Sequence, residues 1–377
     1  MNRLVTTALC LFSLVAAASE AQIRNVVINA ESEEGKLLQQ AGEESDSAKK
    51  IAVLEQFLSK FGSHEAAGFV HLQLQAEYLK TNVFDKSLEH GEKAQAKAPE
   101  DLEIAHLTVK GAEGKGDAQQ LIAMVEKTHA LAQKAKAAPK PTDSDEAEEW
   151  KRKVDFASQV DDYNQYALYG SAQKQATPQG KILLLDALRK QYPGSQFDKM
   201  LDAQYVVAYQ QLGQNDKMAQ AAEAALASDP TNEAYLYMVG ESYMDPAKGK
   251  VAEAQASAQK ILDTLPAKPK PANISDDDWT KHKNTYIGLA HSLMGRSLAT
   301  EGKFAPAQKE LLAAAASLKS NNEALSQVLF FLGYCSIKLE LRRDAVKYLT
   351  EASKVPGPWQ SEAAATLKKL RAAMAAK

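Results

Sequence analysis

Apolar residues return every three or four positions along most of the chain beyond Lys50, the period of a helix with one buried stripe. Ser326–Pro358 shows the pattern most clearly: Leu329, Leu332, Val346 and Leu349 mark two stripes, and Gly333 and Ala345 set small residues among them. This predicts two amphipathic helices and a turn. The helices approach closely where Gly or Ala on one leaves room for a large side chain of the other. The pattern is copied upstream. KIAVLEQFLSKFGS (50–63) aligns with KILLLDALRKQYPG (181–194) at an offset of 131 residues. The same register pairs Tyr78 with Tyr209, Asp85 with Asp216, Glu92 with Glu223, Ala94 with Ala225 and Pro99 with Pro230. A super-repeat is therefore expected nearly twice over, with a partial third copy behind it.

Helix ends are written in the polar residues. Pro99, Pro193, Pro230 and Pro266 cannot continue a helix and mark where second helices stop. Two PKP stretches, 139–141 and 269–271, precede acidic runs that lead to Trp150 and Trp279. In those runs Ser144 and Ser275 are placed as N-caps, with the following carboxylates meeting free N–H groups and the positive end of the helix dipole.

With Leu332-Gly333, Ala345 and Ala352 at their spacing, residues 326–359 resemble a tetratricopeptide repeat, the helix-turn-helix unit that stacks into solenoids. Further units of this kind are read at 68–101, 102–135, 162–195, 199–232, 233–268 and 288–321, after a half unit at 47–62. The resemblance implies an all-α fold, an α-solenoid of about seven helix-turn-helix units wound as a right-handed superhelix. The organisation expected is a signal peptide at 1–21 and a flexible N-terminal segment at 22–46. The first super-repeat (47–136), a linker (137–149) and the second super-repeat (150–268) come next. A second linker (269–278), C-terminal units (279–359) and a capping helix (360–377) complete the chain.

In such solenoids the first helix of each pair lines a concave groove. Carried onto this chain, that face includes His106, Tyr163, Tyr166, Lys174, Gln210, Tyr237, Glu241, Arg296, Phe330, Tyr334 and Lys338. Tyrosine offers a broad apolar face with a polar tip at small rotamer cost, which suits an extended peptide or a helix as the bound partner. The alternative for each position is packing against a neighbouring helix. The Lys and Asn clamp with which some family members hold a carboxylate is missing, since Leu72 and Ala76 stand there, so an acidic C-terminal tail is not the expected ligand.

The first 21 residues differ in kind. Arg3, an apolar run from Leu4 to Ala18 and small residues at Ser19 and Ala21 read as a secretory signal cut before Gln22. The expectation is an exported, periplasmic protein, envelope-associated or secreted. Removal of Cys10 leaves Cys335 as an unpaired thiol on a helix face. Formal net charge is −3, with 45 basic and 48 acidic residues, so no basic excess exists to displace counterions from nucleic acid. No apolar run past the signal is long enough for a transmembrane segment.

Candidate chemistry is sparse. His64-Glu65 begins like a zinc-protease motif, but Gly68 stands where the second histidine must be. Gly111, Gly114 and Gly116 are placed in a turn between helices rather than after a strand, which does not suit phosphate. The acidic runs lack alternating calcium-ligand spacing. No catalytic set, metal site or cofactor is expected. The function expected is an exported, non-enzymatic scaffold that binds a protein or peptide through its groove. Residues 181–195 are similar to repeats of bacterial envelope-assembly proteins, which suggests a role in cell-envelope assembly. Two other readings stay open, a helical accessory to a peptidoglycan enzyme and a self-assembling structural solenoid.

Overall fold

The computed structural model describes residues 21–24 and 26–375, so the signal segment expected at 1–21 lies, save its last residue, outside the described residues. The helices of the first part are α1 (Ala21–Arg24), α2 (Glu33–Glu43), α3 (Ser47–Phe61), α4 (Ala67–Lys80), α5 (Phe84–Lys97), α6 (Leu102–Lys115), α7 (Ala118–Ala137), α8 (Ser144–Lys174) and α9 (Pro178–Gln191). Those of the second are α10 (Asp198–Gln211), α11 (Asn215–Ala225), α12 (Glu233–Tyr243), α13 (Val251–Thr264), α14 (Asp276–Thr300), α15 (Phe304–Ser317), α16 (Asn322–Lys338), α17 (Arg342–Ala352) and α18 (Gln360–Ala375). Among the described residues there is no strand. No described helix is long and apolar enough to cross a membrane.

The chain divides into two compact units between Asp198 and Lys199. In the first, α2 packs on α3, α4 on α5, α6 on α7 and α8 on α9, while α4, α6 and α8 lie side by side. In the second, α12 packs on α13, α14 on α15 and α16 on α17, while α12, α14 and α16 form the corresponding row, and α18 covers α17. Each unit is thus a stack of helical hairpins whose first helices share one face. Helix starts repeat with the sequence: Ser47, Ala67, Phe84 and Leu102 recur at Pro178, Asp198, Asn215 and Glu233, each 131 residues on.

One turn makes several of these hairpins. Asn82, Gly213, Gly302 and Glu340 all have positive φ, between 58° and 78°. The next residue's N–H reaches back to the carbonyl of Tyr78, Tyr209, Leu298 or Ser336, at 2.8–3.0 Å. This is the left-handed C-terminal cap that reverses a helix, and Gly or Asn adopts it at least cost. Glu340 carries a side chain into the same conformation.

Close approach inside a hairpin follows from the glycines. A Cβ on Gly333 would stand 2.6 Å from Cγ of Leu349, and one on Gly295 would stand 2.7 Å from Cγ of Leu311. Leucine from the second helix fills the notch in the first, while Ala345, also buried, lies one turn before Leu349. Cys335 is buried on the same helix as Gly333, and burial pushes its thiol up to about 11.

Several expectations are corrected. Residues 33–43, assigned to a flexible segment, form α2. Ser32 caps it by accepting from Gly35 N, and Leu37, Leu38 and Ala41 pack with Val53, Leu54 and Phe57 of α3. Burying a side chain such as Phe57 contributes about 2–3 kcal/mol, which favours order over a loose tail. The supposed half unit at 47–62 is therefore the second half of a full hairpin. The unit read as beginning at 162 begins inside α8, a continuous helix of 31 residues. Its start is capped by Asp143 rather than Ser144, whereas Ser275 caps α14 as expected. The first linker is shorter than the sequence suggested, since α7 runs to Ala137 and α8 starts at Ser144, while the second is shifted towards the N-terminus, lying between Thr264 and Asp276. Gly111 and Gly114 lie within α6, where Gly114 leaves space for the Phe84 ring, and only Gly116 occupies the turn.

Candidate binding surface

In the first unit, α6 and α8 bring four of the groove positions together. The Tyr163 hydroxyl donates to Oε2 of Glu113 at 2.5 Å, and Lys110 Nζ lies 5.2 Å from the Tyr163 ring centroid. His106 meets the same ring edge-on, with centroids 4.8 Å apart. Burial, then the Glu113 carboxylate, pushes the Tyr163 phenol far above its ordinary value, so it stays a hydrogen-bond donor. Burial also lowers the His106 imidazole to about 4, with Lys110 acting in the same direction, and its Nδ1 is enclosed without a partner. His106 is thus a neutral, packed ring. Tyr166 lies one helical turn beyond Tyr163, centroids 6.5 Å apart, and is 57% exposed. Lys174, further along α8, is exposed with its Nζ 4.0 Å from Glu113.

The outcome is a fixed aromatic floor with one open tyrosine. Tyr163 is held by a carboxylate, a cation and an imidazole, while Tyr166 presents its face to solvent. Lys110 and Glu113 were not among the residues singled out from the sequence. Their signal was present, since they fall one and two turns after His106 on α6, but only packing shows that they converge on Tyr163.

In the second unit the groove positions are filled from within. Arg296 on α14 is only 5% exposed and pairs with Glu241 on α12. Burial, followed by the Glu241 charge, raises the Tyr237 phenol well above its usual value. Nearby, Glu233 accepts from Lys268 Nζ at 2.7 Å and meets His282 Nε2 at 2.5 Å. Those two hydrogen bonds hold its carboxyl below the ordinary range although burial, the largest single influence, opposes them. These side chains tie α12 to α14 and leave little to offer a ligand.

Further along, Phe330 stacks on Trp359 at 4.8 Å, with Phe331 edge-on to both, and Tyr334 meets Phe304 edge-on at 6.0 Å. Phe330 and Tyr334 line the edge of the C-terminal core, and Lys338 Nζ sits 5.4 Å from the Tyr334 ring. Gln210 is exposed near the end of α10. The positions inherited from the resemblance therefore separate into a set on α6 and α8 in which Tyr166 and Lys174 are open, an internally paired set on α12 and α14, an aromatic cluster around α16, and Gln210 by itself on α10. No described group of three or more His, Cys, Asp or Glu is placed to hold a metal ion.

The class these helices define is an all-α helical-hairpin repeat protein of tetratricopeptide-like architecture. No family model and no curated protein matches the chain. Among solved structures it is similar to the APC/C hetero-tetramer Cut9-Hcn1, at 12% identity over 89% of this chain and 66% of that one, with a TM-score of 0.38. The TPR domain of P58(IPK) is similar at 11% identity, 91% and 99% coverage and a TM-score of 0.27. NprR in complex with its cognate peptide NprX is similar at 15% identity, 80% and 81% coverage and a TM-score of 0.34. The chain spans slightly less than two thirds of the matched Cut9-Hcn1 chain. The architecture is assigned from the hairpins and turns of this chain itself.

Proposed function

We propose that this chain is an exported scaffold that holds a protein or peptide partner on the face made by α6 and α8, performs no catalysis of its own, and serves in cell-envelope assembly. The observation that carries the reading is Tyr166, an exposed aromatic beside a tyrosine already immobilised by Glu113, Lys110 and His106. A pre-ordered aromatic floor binds at small entropic cost, and tyrosine is enriched where binding energy concentrates. Lys174 adds an exposed cation at one end of the strip, suited to a carboxylate or carbonyl on the partner. Export is supported by the amino-terminal sequence pattern.

The test places a photoreactive benzoylphenylalanine at position 166, with position 312 as the control, since Leu312 is also exposed. Irradiation in cells should give a defined adduct from position 166 that is absent from position 312. Identical adducts, or none, would remove the α6–α8 face as the binding site. Mass spectrometry of the purified protein should find Gln22 as its first residue, and an intact leader would overturn export.

A further inference from the structure

The short helix α1 sits in a notch formed where α4 begins, α5 ends and α6 begins. Ile23 is buried there among Leu72, Ala94, Ala98 and Ile104. The space exists because residue 68 is glycine: a Cβ at that position would stand 2.8 Å from Cγ2 of Ile23 and 3.2 Å from Cβ of Lys97. Arg24 then forks onto two carboxylates of α6, Asp101 at 2.5 Å and Glu103 at 2.8 Å.

Asp101 is the more telling partner. Its side chain is 1% exposed, and one of its oxygens already caps α6 by accepting from the N–H groups of Glu103 and Ile104. The other oxygen faces Arg24, the one cation paired with it among the described residues. A carboxylate this deeply placed strongly favours a cation in contact, and here that cation comes from a segment tethered at one end of the fold rather than from the hairpins. Arginine suits the place because its planar fork engages two carboxylates at once.

The notch is not a requirement of the repeat. At the equivalent positions 131 residues later the chain has Lys199 for Gly68, Asn232 for Asp101 and Ala234 for Glu103. Asn232 still caps its helix, accepting from Tyr235 N at 3.2 Å, so capping alone does not account for the aspartate. The first copy has therefore kept an apolar hole and a pair of carboxylates that its sequence relative lacks.

We propose that this notch is a peptide-recognition site for a β-branched residue followed by arginine, and that Ile23 and Arg24 occupy it in the resting chain. A partner segment of the same apolar–cationic chemistry binds by displacing them. The site is separate from Tyr166 on α8, so the two can fail independently.

The probe is a fluorescent peptide of residues 22–30 of this chain, titrated against the full-length protein. The native chain is compared with an Ile23→Ser, Arg24→Glu double variant in which the resident segment is released. Circular dichroism and the melting temperature establish that each protein is folded. If the double variant does not fold, Arg24→Glu alone, which leaves Ile23 in place, takes its position in the comparison. The released chain should bind the peptide at least about tenfold more tightly than the native chain, a difference of about 1.4 kcal/mol. Gly68→Val in the released chain should abolish binding by filling the hole, and Glu103→Lys should weaken it about tenfold or more. A peptide carrying Glu in place of its Arg should not bind. Equal binding by native and released chains, retained binding after Gly68→Val, or no binding by a folded released chain would overturn the proposal. Any of these results leaves the crosslinking from position 166 unaffected.

Discussion

Tyr192 donates its hydroxyl to Oδ1 of Asp161 at 3.1 Å, joining α9 to the buried face of α8. The same carboxylate meets His129 Nδ1 at 2.7 Å, accepts from Gln133 Nε2 at 3.0 Å and pairs with Lys136. Asn164 donates to the Tyr192 hydroxyl at 3.1 Å. One side chain on α8 thus gathers three residues of α7 and one of the residues just beyond α9. Asp161 and its neighbours tie α7, α8 and the end of α9 together through polar contacts.

Replacing Asp161 with Ala should therefore cost far more than an exposed ion pair. Removing one member of a buried, hydrogen-bonded charge network costs about 3–5 kcal/mol, against about 1 kcal/mol or less for a surface pair such as Arg152 with Glu148. Urea unfolding should show the loss, and hydrogen exchange should rise in α7, α8 and α9 ahead of the rest of the chain. Arg152→Ala serves as the comparison and should change the midpoint little.

Two glycines should respond in opposite directions to a larger side chain. Gly333→Val drives new atoms into Leu349, whose Cγ and Cδ2 would lie 2.6 and 2.7 Å from the added Cβ. Overpacking of this kind costs about 1–3 kcal/mol, and should lower the melting temperature. Gly42, in α2, has nothing within 4 Å of an added Cβ. Gly42→Ala should raise stability by up to about 1 kcal/mol through helix propensity alone.

Stability should also fall as the solution is acidified below neutrality. His71 Nδ1 and His90 Nδ1 are 2.9 Å apart between α4 and α5. Burial lowers His71 from its ordinary 6.5 to about 4, with the His90 and Lys93 charges adding to the effect, and burial also lowers His90. His106 is lowered to about 4 in the same way. The unfolded chain takes up these protons near pH 6.5 and the native chain only near pH 4, so the unfolded state binds more protons throughout that window. Native stability is fully present above pH 6.5 and declines as pH drops towards 4. Melting temperatures across this range should show the slope, and His71→Gln and His106→Gln should each flatten it. An unchanged slope in the double variant would assign the effect to other groups.

Much of the architecture was legible because it depends on local chemistry. The prolines just beyond α5, α9 and α13 keep those helices from continuing, and Ser275 caps α14 through atoms only three residues apart. The recurring register aligned helix starts from Ser47 to Glu233 for the same reason. The helix α2 also left a signal that was outweighed. Leu37, Leu38 and Ala41 have helical spacing behind a Ser32 cap, but a neighbouring β-branched stretch and two glycines obscured it.

The groove was legible only as a set of positions. Periodicity placed Tyr166 and Arg296 alike on first helices, and nothing in their local sequence separated one from the other. Packing did so: Arg296 finds Glu241 on the adjacent helix, while Tyr166 has no side chain closing over it. By itself, then, the sequence determined where many of the helices begin, turn and end, because caps, prolines and stripes act within a few residues. Tertiary structure alone decided that Leu349 fills the gap at Gly333, that Asp161 gathers α7 and α9, and that Ile23 lies in the notch beside Gly68. Burial and pairing depend on which distant side chain arrives opposite, and a helical period fixes only the face on which it arrives.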